Sequence, residues 1–265
     1  MAERVTGLPL EVRGLTESLL EVRGLTKSFG GLLATHGVDL DVLPGETHAV
    51  IGPNGAGKTT LIAQLAGEVT PDAGTVRFAG RDVAGLSAPA RSRLGLGRSF
   101  QITSVFREFT ALDNVALAVQ AHAGHSFRFW RPARAERALR DPAGVMLAAV
   151  GLGDRAHVEA AALAHGEQRQ LEIAMALATS PRLLLLDEPM AGMGLDESQR
   201  MIGLLATLKG RHTMLLVEHD MDAVWALADR ISVMVYGRLI ATGTPEEIRA
   251  NAEVRQAYLG EDFGG

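Results

Sequence analysis

The sequence predicts an α/β fold built on a mainly parallel sheet. Beyond Pro181 short apolar runs alternate with helical patterns, the signature of parallel strands covered by helices. Residues 183–186 are four consecutive leucines, which suits a strand buried on both faces. A glycine-rich segment joins the apolar run His48-Ala49-Val50-Ile51 to the helical pattern Leu61-Ile62-Ala63-Gln64-Leu65, giving a strand, a tight loop and a helix in succession.

At 265 residues, with 47% hydrophobic and 22% charged residues, the chain has the make-up of a globular protein with a sizeable core. The net charge of −5 argues against a nucleic-acid partner. Absence of cysteine removes disulfides and thiolate metal sites and suits a reducing cytoplasm. Apolar stretches such as 143–152 fall well short of the roughly 20 residues of a spanning helix. The first residues lack the layout of a secretory signal. His122 and His125 have helical spacing without a third ligand, which argues against zinc, and no Gly-x-Ser-x-Gly elbow supports a hydrolase triad.

Taken in order, the segment Leu-Glu-Val-Arg-Gly-Leu-Thr occurs at 10–16 and again at 20–26. Two copies make a local duplication, and the second, which leads into the domain, is expected to be the strand. Residues 1–19 are then expected to be a mobile tail. Runs 20–25, 37–42, 48–51 and 75–78 read as strands separated by turns. Ser87 with Pro89 fits a helix start, 110–119 reads as a capped amphipathic helix, and 122–134, rich in Gly, aromatics and Arg, breaks the periodicity. Strands are expected at 183–187, 213–218 and 231–236, with helices at 195–209 and 221–228.

The loop itself reads Gly52-Pro53-Asn54-Gly55-Ala56-Gly57-Lys58-Thr59-Thr60. Its G-x-x-x-x-G-K-[ST] spacing describes a phosphate cradle: Gly55 and Gly57 allow successive amides to face one anion, and a helix N-terminus lies behind it. Lys58 is expected to reach the β- and γ-phosphates and Thr59 to place its hydroxyl on Mg²⁺. The leucine strand ends in Asp187-Glu188. Side chains alternate along a strand, so the two acids take different directions and roles. Asp187 fits Mg²⁺ binding, and Glu188 fits the base or orienter of an attacking water.

Three further segments, Arg98-Ser99-Phe100-Gln101, Leu163-Ala164-His165-Gly166-Glu167-Gln168-Arg169-Gln170 and Val217-Glu218-His219-Asp220, flank these in an order that resembles the ATP-binding cassette family. The resemblance spans about residues 20–260. It implies a P-loop cassette with a mainly parallel core sheet, an antiparallel β subdomain and an inserted α-helical subdomain near 102–168, acting on ATP with Mg²⁺. It further implies that Gln101 touches Mg²⁺ and the water, and that His219 contacts the γ-phosphate. Ala164, Gly166 and Glu167 would face the nucleotide of a second cassette, identical or different. Phe29 stands where the family stacks an aromatic on adenine, and packing in the core is the other place for it. Two residues depart from the general pattern, Ala164 in place of Ser and Gly194 in place of Asp or Asn.

The segments 97–103, 163–169 and 191–194, with Tyr258-Leu259-Gly260-Glu261, resemble the ATP-binding subunit of branched-chain or hydrophobic amino acid importers. That likeness implies membrane-spanning permease subunits, an extracytoplasmic binding protein, and a place on the inner face of the cell membrane. Ile102, Val105, Phe106, Phe109 and Leu112 are candidates either for permease contact or for a plain subdomain core. Urea or amide importers and cassette ATPases outside transport are the alternatives.

Overall fold

A computed structural model describes residues 17–98, 105–123 and 136–256. Gln101, Ile102, the first copy of the duplicated segment and residues 258–261 lie outside these. Among the described residues the strands form two sheets. The first is antiparallel, ordered β2-β1-β4-β5, from β1 (Leu20–Phe29), β2 (Leu32–Val42), β4 (Ala73–Phe78) and β5 (Arg81–Asp82). The second is ordered β10-β9-β3-β8-β7-β6. Its members β3 (Thr47–Ile51), β6 (Leu96–Arg98), β7 (Leu183–Asp187), β8 (Thr213–Val217) and β9 (Arg230–Val235) pair in parallel, and β10 (Arg238–Gly243) closes one edge antiparallel to β9.

The central strands β3, β7 and β8 have every residue buried, as the run of apolar residues without alternation requires. Pleating splits β7 between two cores. Leu183 and Leu185 join Leu61, Ile62 and Leu65 of α1 (Lys58–Ala66) and the inner face of the antiparallel sheet. Leu184 and Leu186 join the helical side. That side contains α3 (Ala111–Ala123), α4 (Arg137–Ala149), α5 (His165–Leu177), α6 (Leu195–Leu208) and α7 (Met221–Leu227). The helical insertion therefore shares a core with the parallel sheet. Short helices α2 (Ala88–Arg93), α8 (Pro245–Ala250) and α9 (Ala252–Val254), with two 3-10 turns at Gly153–Arg155 and Ala160–Ala162, complete the described elements.

The second copy of the duplication forms most of β1. Leu19 is already buried, its N–H donates to Val42 O and its carbonyl accepts from Ala79 N. The chain thus enters the fold at Leu19, inside the stretch expected to be a tail. β2 begins at Leu32, earlier than position 37; Gly37 (φ 64) sits within the strand where the β1–β2 pairing shifts register, and this irregularity breaks the strand pattern in the sequence.

The register levels the strand ends. Val50 pairs with Val217, and Val217 pairs with Asp187, so β3, β8 and β7 release their chains side by side. Segments beyond these ends carry the phosphate loop, His219 and Glu188, at the edge where ligands of parallel sheets lie.

Candidate functional site

Gly52, Gly55 and Gly57 all have positive φ, at 153°, 79° and 106°. A Cβ on Gly52 would come 2.0 Å from Met234 O in β9, and one on Gly57 would come 2.0 Å from Ala34 O in β2. The loop is therefore wedged between two strands, and only glycine fits at either end. Gly57 is the N-cap of α1 and brings no side-chain acceptor, so the helix's first-turn amides are left for an anion. Ala56 is buried and accepts from Gly237 N at 2.8 Å, while Asn54, Gly55 and Thr59 are exposed and Pro53 and Thr60 half-buried. Lys58 curls back over this cradle, donating to Gly52 O at 2.7 Å and Pro53 O at 3.1 Å. Burial pushes its pKa down, and the charges of Glu188, Asp187 and Glu218 oppose that.

Asp187 and Glu188 diverge as expected, but not through strand alternation, because β7 ends at Asp187 and Glu188 has already left the extended conformation. Asp187 is almost wholly buried, and its Oδ2 accepts from Arg98 Nη2 at 3.2 Å. Burial raises its pKa, and the Arg98 charge lowers it. Its Oδ1 is buried with no hydrogen-bond partner. A bare buried carboxylate oxygen fits a hard cation, which takes oxygen donors. The Thr59 hydroxyl, exposed at the start of α1, is an oxygen donor of the same kind. Glu188 leaves the strand at φ 48°, and its Oε1 comes within 3.9 Å of His219 Nδ1. The imidazole is more than half exposed and the carboxylate less than a fifth.

Sequence reasoning named Glu218 only as a neighbour of His219. In the structure it is fully buried: Oε1 accepts from Met190 N at 3.0 Å, and Oε2 accepts from His219 N at 3.0 Å and Asp220 N at 3.3 Å. One carboxylate thus ties the loop after Glu188 to the loop after β8. Its position directly after an apolar strand, like that of Asp187, was the available signal. Arg98 carried no such signal, because a strand of three residues around a glycine has no readable period.

Phe29 is half exposed at the end of β1, beside Leu32 and Leu33, so it lies on the surface and not in the core. An exposed ring offers a π-face to a base. Gly166 lies in the first turn of α5, half-buried behind the exposed Ala164 and His165. Glu167 points back: its Oε2 accepts from Ala164 N at 2.9 Å, and Arg155 pairs with it at 3.1 Å. The carboxylate expected to face a nucleotide caps the N-terminus of its own helix here. His165 Nε2 stands 3.2 Å from Ala191 O, joining this helix tip to the segment after Glu188. Gln101 lies outside the described residues.

Of the residues expected to contact a permease, Leu112 belongs to the core and Val105 packs against it. Phe106 and Phe109 are exposed, with ring centroids 5.5 Å apart. No helix among the described residues is long and apolar enough to cross a membrane.

Residues 35–191 match the ABC transporter family, and residues 238–264 match the branched-chain amino acid ATP-binding cassette transporter family. The chain is 43% identical over 259 residues to the high-affinity branched-chain amino acid transport ATP-binding protein BraF of Pseudomonas aeruginosa, covering 95% of this chain and 98% of that protein. It is 41% identical to the Escherichia coli protein of the same description, LivG, covering 93% and 100%. Among solved structures, the ADP conformation of an ATP-binding cassette of an ABC transporter superposes with a TM-score of 0.81 at 29% identity, over 93% of this chain and 100% of that one. With the cradle, the two acids and the histidine all at one edge of the parallel sheet, the chain belongs to the ABC transporter ATP-binding family, in its branched-chain amino acid branch.

Proposed function

We propose that this chain binds and hydrolyses ATP to drive an importer of branched-chain or other hydrophobic amino acids, held at the cytoplasmic face of the membrane by permease subunits. The observation that carries the proposal is the level release of β3, β7 and β8, which sets Lys58, Asp187, Glu188 and His219 around one cradle.

The amides of Gly55 to Thr60 hold the phosphates, and Lys58 exchanges its two carbonyl contacts for phosphate oxygens. Asp187 and Thr59 would hold Mg²⁺, with Gln101, and that ion neutralises charge on the phosphates when bound. Glu188 takes the place of the residue that orients or deprotonates the attacking water, and His219, 3.9 Å from it, can donate to the transferred phosphoryl group. Phe29 stacks on the adenine. Phosphoryl transfer needs positioning and charge stabilisation, and this edge of the sheet holds groups for both.

Gly166 and its helix tip supply an N–H-rich end for a nucleotide held by another cassette, so a second copy or a related chain completes each site. An apolar groove of 370 Å³ lies between the core and the helices, lined by residues of α2, α3 and α5 that include Pro89, Ala118, Ala121, Met175 and Ala176. It is the place for a permease segment, with Phe106 and Phe109 as further exposed apolar residues of the helical region. An extracytoplasmic binding protein would deliver the amino acid to the permease.

The test is to purify the chain with its membrane partners, reconstitute the assembly, and follow phosphate release with Mg-ATP. Leucine, isoleucine or valine, presented by the cognate binding protein, is expected to stimulate release. An assembly that hydrolyses ATP yet ignores all three, and responds to another solute, would remove the substrate assignment. One that releases no phosphate would remove the ATPase reading.

A further inference from the structure

We propose that Glu68 tunes the metal affinity of Asp187 through Arg98, so that a contact made with Glu68 in the groove is felt at the nucleotide site. The inference rests on the reading of Asp187 as a metal-holding acid and of the groove as the partner-facing surface.

Arg98 closes β6 and pairs with Leu185 in β7, two residues before Asp187. Its guanidinium is nearly buried and divides between two acids. Nη2 donates to Asp187 Oδ2 at 3.2 Å, and Nη1 makes a short ion pair with Glu68 Oε2. Asp187 is sealed from solvent, whereas the Glu68 side chain is 36% exposed. Glu68 and Arg98 both line the groove, and Asp187 does not. One cation therefore has a prong in each compartment.

The guanidinium is planar and rigid, so its two nitrogens cannot move independently. Removing the negative charge of Glu68, by substitution or by a cation seated against it, leaves Arg98 with Asp187 as its remaining partner in this pair of bridges. The guanidinium then draws more of the Asp187 carboxylate charge to itself. A divalent cation approaching the bare Oδ1 meets a less negative group and a less compensated positive neighbour. Glu68 itself is part-exposed, but the Arg98–Asp187 end of the relay is buried and poorly screened. Metal affinity falls as the groove-side charge is neutralised. Because coupling is reciprocal, a bound metal loosens Arg98 from Asp187 and strengthens its hold on Glu68.

The probe is Mn²⁺ titrated into the full chain with ADP, read by the loss of the free-ion EPR signal, a measurement that needs no turnover. Asp187→Asn is expected to abolish high-affinity binding. Glu68→Gln is expected to weaken it by about fivefold, at the lower end of ordinary coupling between sites. In an Arg98→Gln background the same Glu68 substitution should have no further effect, the mark of a relay through that residue. Arg98→Lys, which keeps the charge without the fork, serves if Arg98→Gln does not fold, and should at least halve the Glu68 effect. A Glu68→Gln shift that persists unchanged in both Arg98 backgrounds would show a direct field effect and overturn the relay, as would no shift at all. If Asp187→Asn leaves Mn²⁺ binding intact, the metal assignment and the relay fall together. If it abolishes binding while Glu68→Gln does nothing, only the relay falls.

Discussion

Glu188 owes its direction to one backbone torsion. A φ of 48° is unfavourable for a residue with a Cβ, at about 1–2 kcal/mol, and it turns the chain out of β7 immediately after Asp187. One acid stays buried beside Arg98 while the next faces His219. Replacing Glu188 with Gln preserves size and leaves the cradle untouched, so ATP should still bind, with turnover reduced by about 10² to 10⁴. Nucleotide titration and phosphate release, run together, check both halves; turnover at the original rate would end the assignment. Glu218 is the structural counterpart. Burial raises its pKa, and three backbone N–H groups oppose that. An acid whose folded pKa lies above its unfolded one contributes stability that is complete below the unfolded value and is lost as pH rises through the folded one. Urea midpoints measured between roughly pH 4 and 7 should therefore fall less steeply in Glu218→Gln than in the original chain. Glu218→Ala, which strips the acceptor from the N–H groups of Met190, His219 and Asp220, should cost about 3 kcal/mol of stability. A loss within experimental scatter would show that water replaces the carboxylate.

The junction of β3, loop and α1 works because two strands press on it. Gly57→Ala would drive a methyl to 2.0 Å from Ala34 O, with Met234 Cε only 3.0 Å away, at a backbone angle an alanine resists. The loop must open, and ADP affinity is expected to drop at least tenfold, measured by calorimetry. An unchanged affinity would mean that the cradle tolerates a side chain against β2. These elements were legible in the sequence for the reason that makes them rigid. A strand buried on both faces is a run of apolar residues, and a loop that wraps an anion needs glycine at fixed steps. β3, β7 and β8 announce themselves, and with them Lys58, Asp187, Glu188 and His219. What stayed unread lacks a local pattern of its own. β6 is a strand because Leu96, Gly97 and Arg98 lie beside Leu183, Leu184 and Leu185, far along the sequence. Glu167 caps its helix from a local position, three residues after Ala164, but an alanine there lacks the hydroxyl that makes such a capping pair readable in a sequence. The exposure of Phe29 followed from a hairpin whose Leu32 and Leu33 the turn at Gly30 leaves on the surface.

Among the described residues the parallel sheet separates two larger cores with different duties, and a smaller third cluster packs α7 and α8 on Ala49, Ile51, Ile231 and Val233 of β3 and β9. On one face α1 and the antiparallel sheet pack with Leu183, Leu185 and Leu215, fixing the phosphate cradle. On the other, α3 to α7 pack with Leu184, Leu186 and Leu216, carrying Gly166 and the helices that form one wall of the groove. A segment bound in the groove touches both sides at once, through Ala66 at the end of α1 and Glu68 just beyond it, and through Ala118, Met175 and Ala176 on the helices. Its seating would therefore bear both on α1, which carries the cradle, and on α5, which carries Gly166. Ala121 lines the groove from the exposed face of α3, so a charge there enters the binding surface without entering either core. In Ala121→Glu the folding stability should change by no more than about 0.5 kcal/mol, and ADP affinity should stay the same. Retention of the chain by permease-containing membranes should nevertheless fall sharply, because an unpaired carboxylate would be desolvated against an apolar segment. Sedimentation with membranes, scored against the original chain at matched expression, gives the answer. Equal retention would place the permease contact elsewhere, and a loss of ADP binding would show that the groove and the cradle fold as one unit.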